Sequence, residues 1–212
     1  MSKKQVTGED HGSFIKRFRL KMPPLDIARV DYAYDMAKHG HRNQFRESGE
    51  RYFEHVRATA LIMVDELGIT DVDMIMASLL HDMLEDTYLL TPERIKITFG
   101  ERVARMICAI SKPRKDDPRF ATNGERQEWY FKQIANANIE EKIVKLADRL
   151  HNLRTLNQCS KEKQLRKIEE TKIKYLPLLD DIRNDYPEIA DCLASSFTMM
   201  LEELGEKLKI GG

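Results

Sequence analysis

Cysteine is scarce in this chain, and its spacing forms no motif. Cys108, Cys159 and Cys192 are far apart and odd in number, and no Cys-x-x-Cys occurs. That excludes a disulfide framework and a cysteine-ligated zinc module, and it reads as reduced structural thiols of a cytoplasmic protein. No apolar run approaches the roughly 18–20 residues that span a bilayer. No apolar stretch follows Met1-Ser2-Lys3-Lys4 either, so no secretory signal is expected. Net charge is also lacking. Lysines plus arginines number 35 and acidic residues 35, which excludes bulk attraction to nucleic acid or to an anionic membrane. Strand-like alternation and internal repeats are absent as well. What remains is a 212-residue chain, 42% hydrophobic and 33% charged. That balance suits helices with Lys/Glu-rich outer faces, and the expected fold class is all-α.

Punctuation residues divide the chain. Residues 1–24 read as a flexible N-terminal arm: Gly8-Glu9-Asp10-His11-Gly12 is turn-like, Lys16-Arg17-Phe18-Arg19-Leu20-Lys21 is basic, and Met22-Pro23-Pro24 stops any helix. Helical periodicity runs from Asp26 to His39, from Glu54 to Glu66 and from Asp73 to Glu85, the last capped by Thr70 or Asp71. Thr91-Pro92 starts a short helix that ends at Phe99-Gly100, and another follows to about Ser111. Lys112 to Gly124, with two prolines and mixed charge, is a long irregular segment of the kind that serves as a lid. Helices are then expected over Glu125–Asn136, Glu140–Asn157 and Ser160–Asn184, with a last one from Tyr186-Pro187 to Lys209. Ile168, Ile173, Tyr175/Leu176, Leu179 and Ile182 form an apolar stripe that suits core packing, with a second copy of the chain as the alternative.

One segment stands apart. His81-Asp82-Met83-Leu84-Glu85-Asp86 puts four ionisable residues in six positions, directly after the apolar run Met74–Leu80. Charge at the mouth of a core is costly unless it is paired or binds a metal. At helical spacing, His81 shares a face with Glu85, and Asp82 shares one with Asp86. His55 and Asp148 complete a set of two histidines and two aspartates. Taken singly, each reads as an ordinary helix residue; the dyad does not. Such a mixed nitrogen and oxygen set suits Mn²⁺, Fe²⁺ or Zn²⁺ better than Mg²⁺ or Ca²⁺. Four protein ligands leave open positions only on a five- or six-coordinate ion, which favours manganese or iron over tetrahedral zinc. Lys145, Asp148 and Asn152 lie three and four apart, on a face beside the stripe Ile143, Leu146, Leu150 and Leu153.

The pattern His55…His81-Asp82…Asp148 resembles the signature of the HD metal-dependent phosphohydrolases. The stretches His41–Arg46, Ala77–Thr87, Phe99–Val103 and Val144–Leu153 resemble one branch, the (p)ppGpp hydrolase domain of Rel/SpoT-type enzymes and small alarmone hydrolases. The resemblance covers roughly residues 26–158. It implies an HD-domain helical bundle with its hydrolase core over 25–158 and C-terminal helices over 159–212 packed on that core. It also implies an ion, usually Mn²⁺, held by His55, His81, Asp82 and Asp148. Glu85 and Asp86 match the family's catalytic pair, which orients the attacking water and handles its proton. Arg46 matches a basic residue stacked on the guanine, and Arg42 the arginine of a His-Arg motif; an ordinary surface arginine is the alternative at both. Lys145 and Asn152 match pocket positions, and His151 a position near the ribose.

Three departures bear on the substrate. Glu47 stands where the family often has lysine. The first ligand sits in Glu54-His55-Val56 in place of Asn-His-Pro. Ser111-Lys112-Pro113-Arg114-Lys115-Asp116-Asp117 replaces an acidic stretch. The expected function is removal of the 3′-pyrophosphate of guanosine tetra- or pentaphosphate, in a chain that ends at Gly212 and so carries no synthetase domain. The alternatives are an HD phosphohydrolase of another nucleotide and a catalytically silent nucleotide-binding module. The expected partner is a small nucleotide, with no nucleic acid and no membrane.

Overall fold

Burial of one apolar segment organises the molecule. In the computed structural model, which describes residues 10–210, every residue from Met74 to Leu80 is buried. Side chains that leave water there contribute roughly 1.5–3 kcal/mol each for the larger aliphatics. Regular structure among the described residues is helical, apart from an isolated bridge between Phe45 and Arg51. The helices are α1 (His11–Lys16), α2 (Pro24–Gly40), α3 (Tyr52–Leu61), α4 (Val72–Leu80), α5 (Met83–Asp86), α6 (Pro92–Phe99), α7 (Glu101–Ile110), α8 (Asn123–Ala135), α9 (Ile139–Arg154), α10 (Lys161–Lys174), α11 (Leu178–Arg183) and α12 (Pro187–Ile210). α4 packs against α2, α3, α7 and α9, and α9 in turn packs against α3, α7, α8, α11 and α12. Among the described residues, no helix is long and apolar enough to cross a membrane.

Local chemistry sets most helix starts. Asp71 accepts the Met74 N–H at 3.0 Å, Thr91 caps α6 with Pro92 behind it, and Ser160 caps α10. Thr122 with Glu125, and Asn138 with Glu141, form reciprocal capping boxes at α8 and α9. Between α6 and α7, Gly100 adopts φ +100°, a conformation that side chains with a Cβ rarely take.

The structure departs from the sequence expectations in four places. Part of the expected flexible arm is a packed element. Phe14 and Phe18 on and just beyond α1 are fully buried, and Met22 nearly so. Phe14 meets Tyr34 at 4.9 Å, and Arg17 bonds Asp65 at 2.9 Å. The apolar residues recur every four positions inside a run dominated by basic ones. The part of that arm over residues 1–9 lies outside the described residues. Second, the helix expected over 73–85 ends at Leu80, turns at His81-Asp82, and restarts as α5. Third, the helix expected over 160–184 breaks at Tyr175–Pro177, because proline withholds the N–H that would continue it. Fourth, the segment 62–66 widens into a π turn. Of the expected C-terminal stripe, Ile168, Tyr175, Leu179 and Ile182 are buried, whereas Ile173 is exposed.

Candidate metal centre

Three separate parts of the fold deliver the four expected ligands to one place. α3 carries His55, the corner between α4 and α5 carries His81 and Asp82, and α9 carries Asp148. His55 Nε2 lies 3.1 Å from Asp148 Oδ1 and 3.5 Å from Asp82 Oδ2. His81 Nε2 lies 3.1 Å from Asp82 Oδ2 and 3.6 Å from Asp148 Oδ1. The donor atoms of His55, His81 and Asp82 all fall within 4.8 Å of one another. All four residues are buried, none more than 7% exposed.

The surroundings orient each donor. His81 Nδ1 bonds the Ser78 carbonyl at 2.7 Å, so the proton sits on Nδ1 and Nε2 presents a lone pair. That Nε2 is buried and has no hydrogen-bond partner. An orphaned imidazole nitrogen facing two carboxylates is what a divalent cation satisfies, and the two-nitrogen, two-oxygen donor set fits a transition ion. His55 Nδ1 meets His151 Nδ1 at 2.7 Å. Asp82 Oδ2 accepts from the Tyr52 hydroxyl at 2.7 Å. Asp148 Oδ2 pairs with Lys145 Nζ at 2.8 Å, and Asp148 Oδ1 accepts from Asn152 Nδ2 at 2.6 Å.

The charges in this pocket perturb one another strongly. Burial pushes the His81 pKa down, yet without a cation the Asp82 and Asp148 carboxylates outweigh it and raise it to about 10, so a bound cation would take the place of the proton on Nε2. Burial opposes ionisation of Asp82 and Asp148 too. His81 overcomes it at Asp82, and Lys145 followed by His81 overcomes it at Asp148, so both carboxyls titrate well below the usual range. Burial and the neighbouring Asp82 charge push Glu85 up to about 7. Burial, then repulsion from His55 and Arg46, holds His151 well below the usual histidine value.

Two cavities open beside the cluster. One, of about 180 Å³, is lined by His55, Asp82 and Asp148 together with Glu85, Lys112, Tyr130 and Lys145. The other, of about 490 Å³, is lined by Arg46, Asp86, Asn152 and Thr155, with Glu47 and Lys163 at its rim. Tyr52, Glu85, Arg149, Asn152 and Lys167 line both. Arg46 Nη2 donates to Asn152 Oδ1 at 2.8 Å and Thr155 Oγ1 at 3.2 Å. Arg42 does not join the site: it is exposed, bonds the His39 carbonyl at 2.9 Å and lines neither cavity. His151 also lines neither cavity; its ring packs on His55. Lys145 reaches the smaller cavity, but its ammonium belongs to Asp148. Sequence reasoning missed Tyr52, Thr155 and Lys167. Thr155 lies three residues beyond Asn152, where a helical reading would have found it; no local signal marks Lys167.

The HD domain family profile matches residues 33–180. The chain belongs to the HD domain family. Its relatives include a guanosine-3′,5′-bis(diphosphate) 3′-pyrophosphohydrolase of Haemophilus influenzae, 37% identical over 73% of this chain but only 23% of the relative. The mouse pyrophosphohydrolase MESH1 is 36% identical over 64% of this chain and 73% of its own length. A solved metazoan SpoT orthologue, described as hydrolysing ppGpp, superposes with a TM-score of 0.69 at 25% identity, covering 84% of this chain and 97% of the other. The HD chain spans about a quarter of the length of the bacterial relatives it matches.

Proposed function

We propose that this HD domain is a metal-dependent phosphohydrolase that removes the 3′-pyrophosphate of guanosine tetra- or pentaphosphate. The observation that carries the reading is the convergence of His55, His81, Asp82 and Asp148 beside a cavity that also holds Glu85. The names of relatives that align along most of the domain support the substrate class. Manganese is the ion of choice, because the donor set is mixed and four protein ligands leave room only in a five- or six-coordinate shell. When bound, a divalent cation supplies Lewis-acid polarisation of the phosphate and makes water nucleophilic near neutral pH.

The chain's own groups supply the rest. Glu85, whose carboxyl is pushed up to about 7, is poised to take the proton of the attacking water. Asp86 flanks it on the side of the larger cavity. Lys112, whose N–H donates to Glu85 at 3.2 Å, brings positive charge to the wall of the smaller cavity. Arg46, held flat by Asn152 and Thr155, offers a guanidinium plane for the base. Water attacks the phosphorus next to the 3′ oxygen, the bond to that oxygen breaks, the proton that Glu85 took from the water passes to the 3′ oxygen, and pyrophosphate and the 3′-hydroxyl nucleotide are released.

Purified protein with Mn²⁺ and guanosine tetraphosphate is expected to release pyrophosphate; no release at micromolar enzyme defeats the proposal. One observation favours a second reading, hydrolysis of a different phosphorylated nucleotide. Glu47 replaces a positive charge at the rim of the larger cavity and pairs with Lys163 at 2.7 Å. A panel of nucleotides that differ in their phosphate positions separates the two readings.

A further inference from the structure

Tyr52 lies at the seam between the two cavities. Its hydroxyl donates at 2.7 Å to Asp82 Oδ2. That is the Asp82 oxygen that faces the two candidate ligand imidazoles, 3.1 Å from His81 Nε2 and 3.5 Å from His55 Nε2. The Asp86 carboxylate is within hydrogen-bonding reach of the same hydroxyl. One phenol therefore bonds a candidate ligand and faces a candidate catalytic carboxylate.

The segment after α2 fixes that phenol. The His41 ring stacks on Tyr52 with centroids 4.8 Å apart and planes 25° apart, and it is buried. His41 Nδ1 bonds Gln44 Oε1 at 2.6 Å, which points the other end of the Gln44 amide to the Asp86 carbonyl at 2.6 Å. The Gln44 carbonyl accepts the Tyr52 N–H at 2.9 Å. Just before this segment, Gly40 leaves room for Met83: a Cβ there would lie 2.5 Å from the Met83 sulfur. His41 and Gln44 thus hold Tyr52 and the Asp86 main chain together, although neither lines either of the two cavities.

We infer that Tyr52 is a positioning residue whose hydroxyl holds the metal-facing oxygen of Asp82 in place, with His41 and Gln44 as its support. The inference rests on reading the four-residue cluster as a metal site. Groups that orient a ligand from behind typically change metal affinity or activity 10- to 100-fold when removed.

The test is calorimetric Mn²⁺ titration of the wild-type protein and of Tyr52→Phe, which keeps the ring and its stack on His41. Tyr52→Phe is expected to bind Mn²⁺ about 10-fold more weakly, while the metal-free variant keeps the wild-type circular dichroism and thermal midpoint. Affinity within about twofold of wild type overturns the inference, as does a fall in the metal-free midpoint with affinity unchanged, the mark of a merely structural role. A second measurement needs no variant. With Cζ-labelled tyrosine in the wild-type protein, one of the seven tyrosine resonances is expected to shift when Zn²⁺ is added; no shift overturns the inference. A wild-type protein that takes up neither ion overturns the metal reading itself, and this inference falls with it.

Discussion

α4 and α9 are both buried, yet they are built on opposite terms. α4 is apolar from Met74 to Leu80 apart from Ser78, whose hydroxyl bonds the Ile75 carbonyl at 2.7 Å. α9 buries Glu141, Lys142, Lys145, Asp148 and Arg149 among its leucines and isoleucines. Each of these charges has a partner. Glu141 faces Arg105 at 3.2 Å, and Lys142 faces Asp181 at 2.8 Å. Lys145 pairs with Asp148, and Arg149 reaches Glu170 at 3.0 Å and Thr171 at 2.8 Å. α4 holds the molecule together by removing surface from water and meets charge only at the corner where it stops. α9 carries charge along its length and is stable only while its pairs are complete.

Asp148→Ala should break the α9 side of this contrast hardest. It strips Lys145 of its counter-charge in a buried site, so the metal-free protein should lose about 3–5 kcal/mol in a denaturant titration. Mn²⁺ uptake should vanish with it. Glu85→Gln, just beyond α4, should do the reverse. Turnover should fall by roughly 10²- to 10⁴-fold, while the thermal midpoint does not fall. Leu79→Ala, inside α4, should cost about 2–5 kcal/mol of stability, yet leave Mn²⁺ affinity unchanged in the folded protein. A loss of metal affinity there would show that the two helices are not separable.

The smallest expected effect is a pH dependence on α9. Burial raises the Glu141 carboxyl above its ordinary value. The folded state therefore holds that proton more tightly than the unfolded state. This favourable contribution is complete below the ordinary glutamate pKa and is lost as pH rises through the higher folded value. Glu141→Gln should flatten this part of the stability profile between acidic and neutral pH, as read by unfolding midpoints at each pH.

The sequence made α4 legible, because seven buried residues in a row admit few alternatives, and most helix starts were legible from their caps. It hid the end of α4. The helical period runs through His81-Asp82 into Leu84, and no glycine or proline marks the corner. It hid the packing of α1 as well, where Phe14, Phe18 and Met22 are outnumbered by basic neighbours. The candidate metal set was expected from residue types and from resemblance, but its convergence depends on contacts between α3, α4 and α9 that no local pattern encodes. The same reason explains Lys145 and His151. The Lys145 ammonium turns to Asp148 while the residue still lines the smaller cavity, and the His151 ring packs on His55. Arg42 shows the converse: its place in a motif gave no information on where its guanidinium turns.

The corner after Leu80 has a geometric consequence. On an α-helix, consecutive residues are set about 100° apart around the axis. His81 Nε2 and Asp82 Oδ2 nonetheless stand 3.1 Å apart. Both residues keep right-handed helical dihedrals there, so the two side chains close on each other from the end of the coil like the jaws of a pincer.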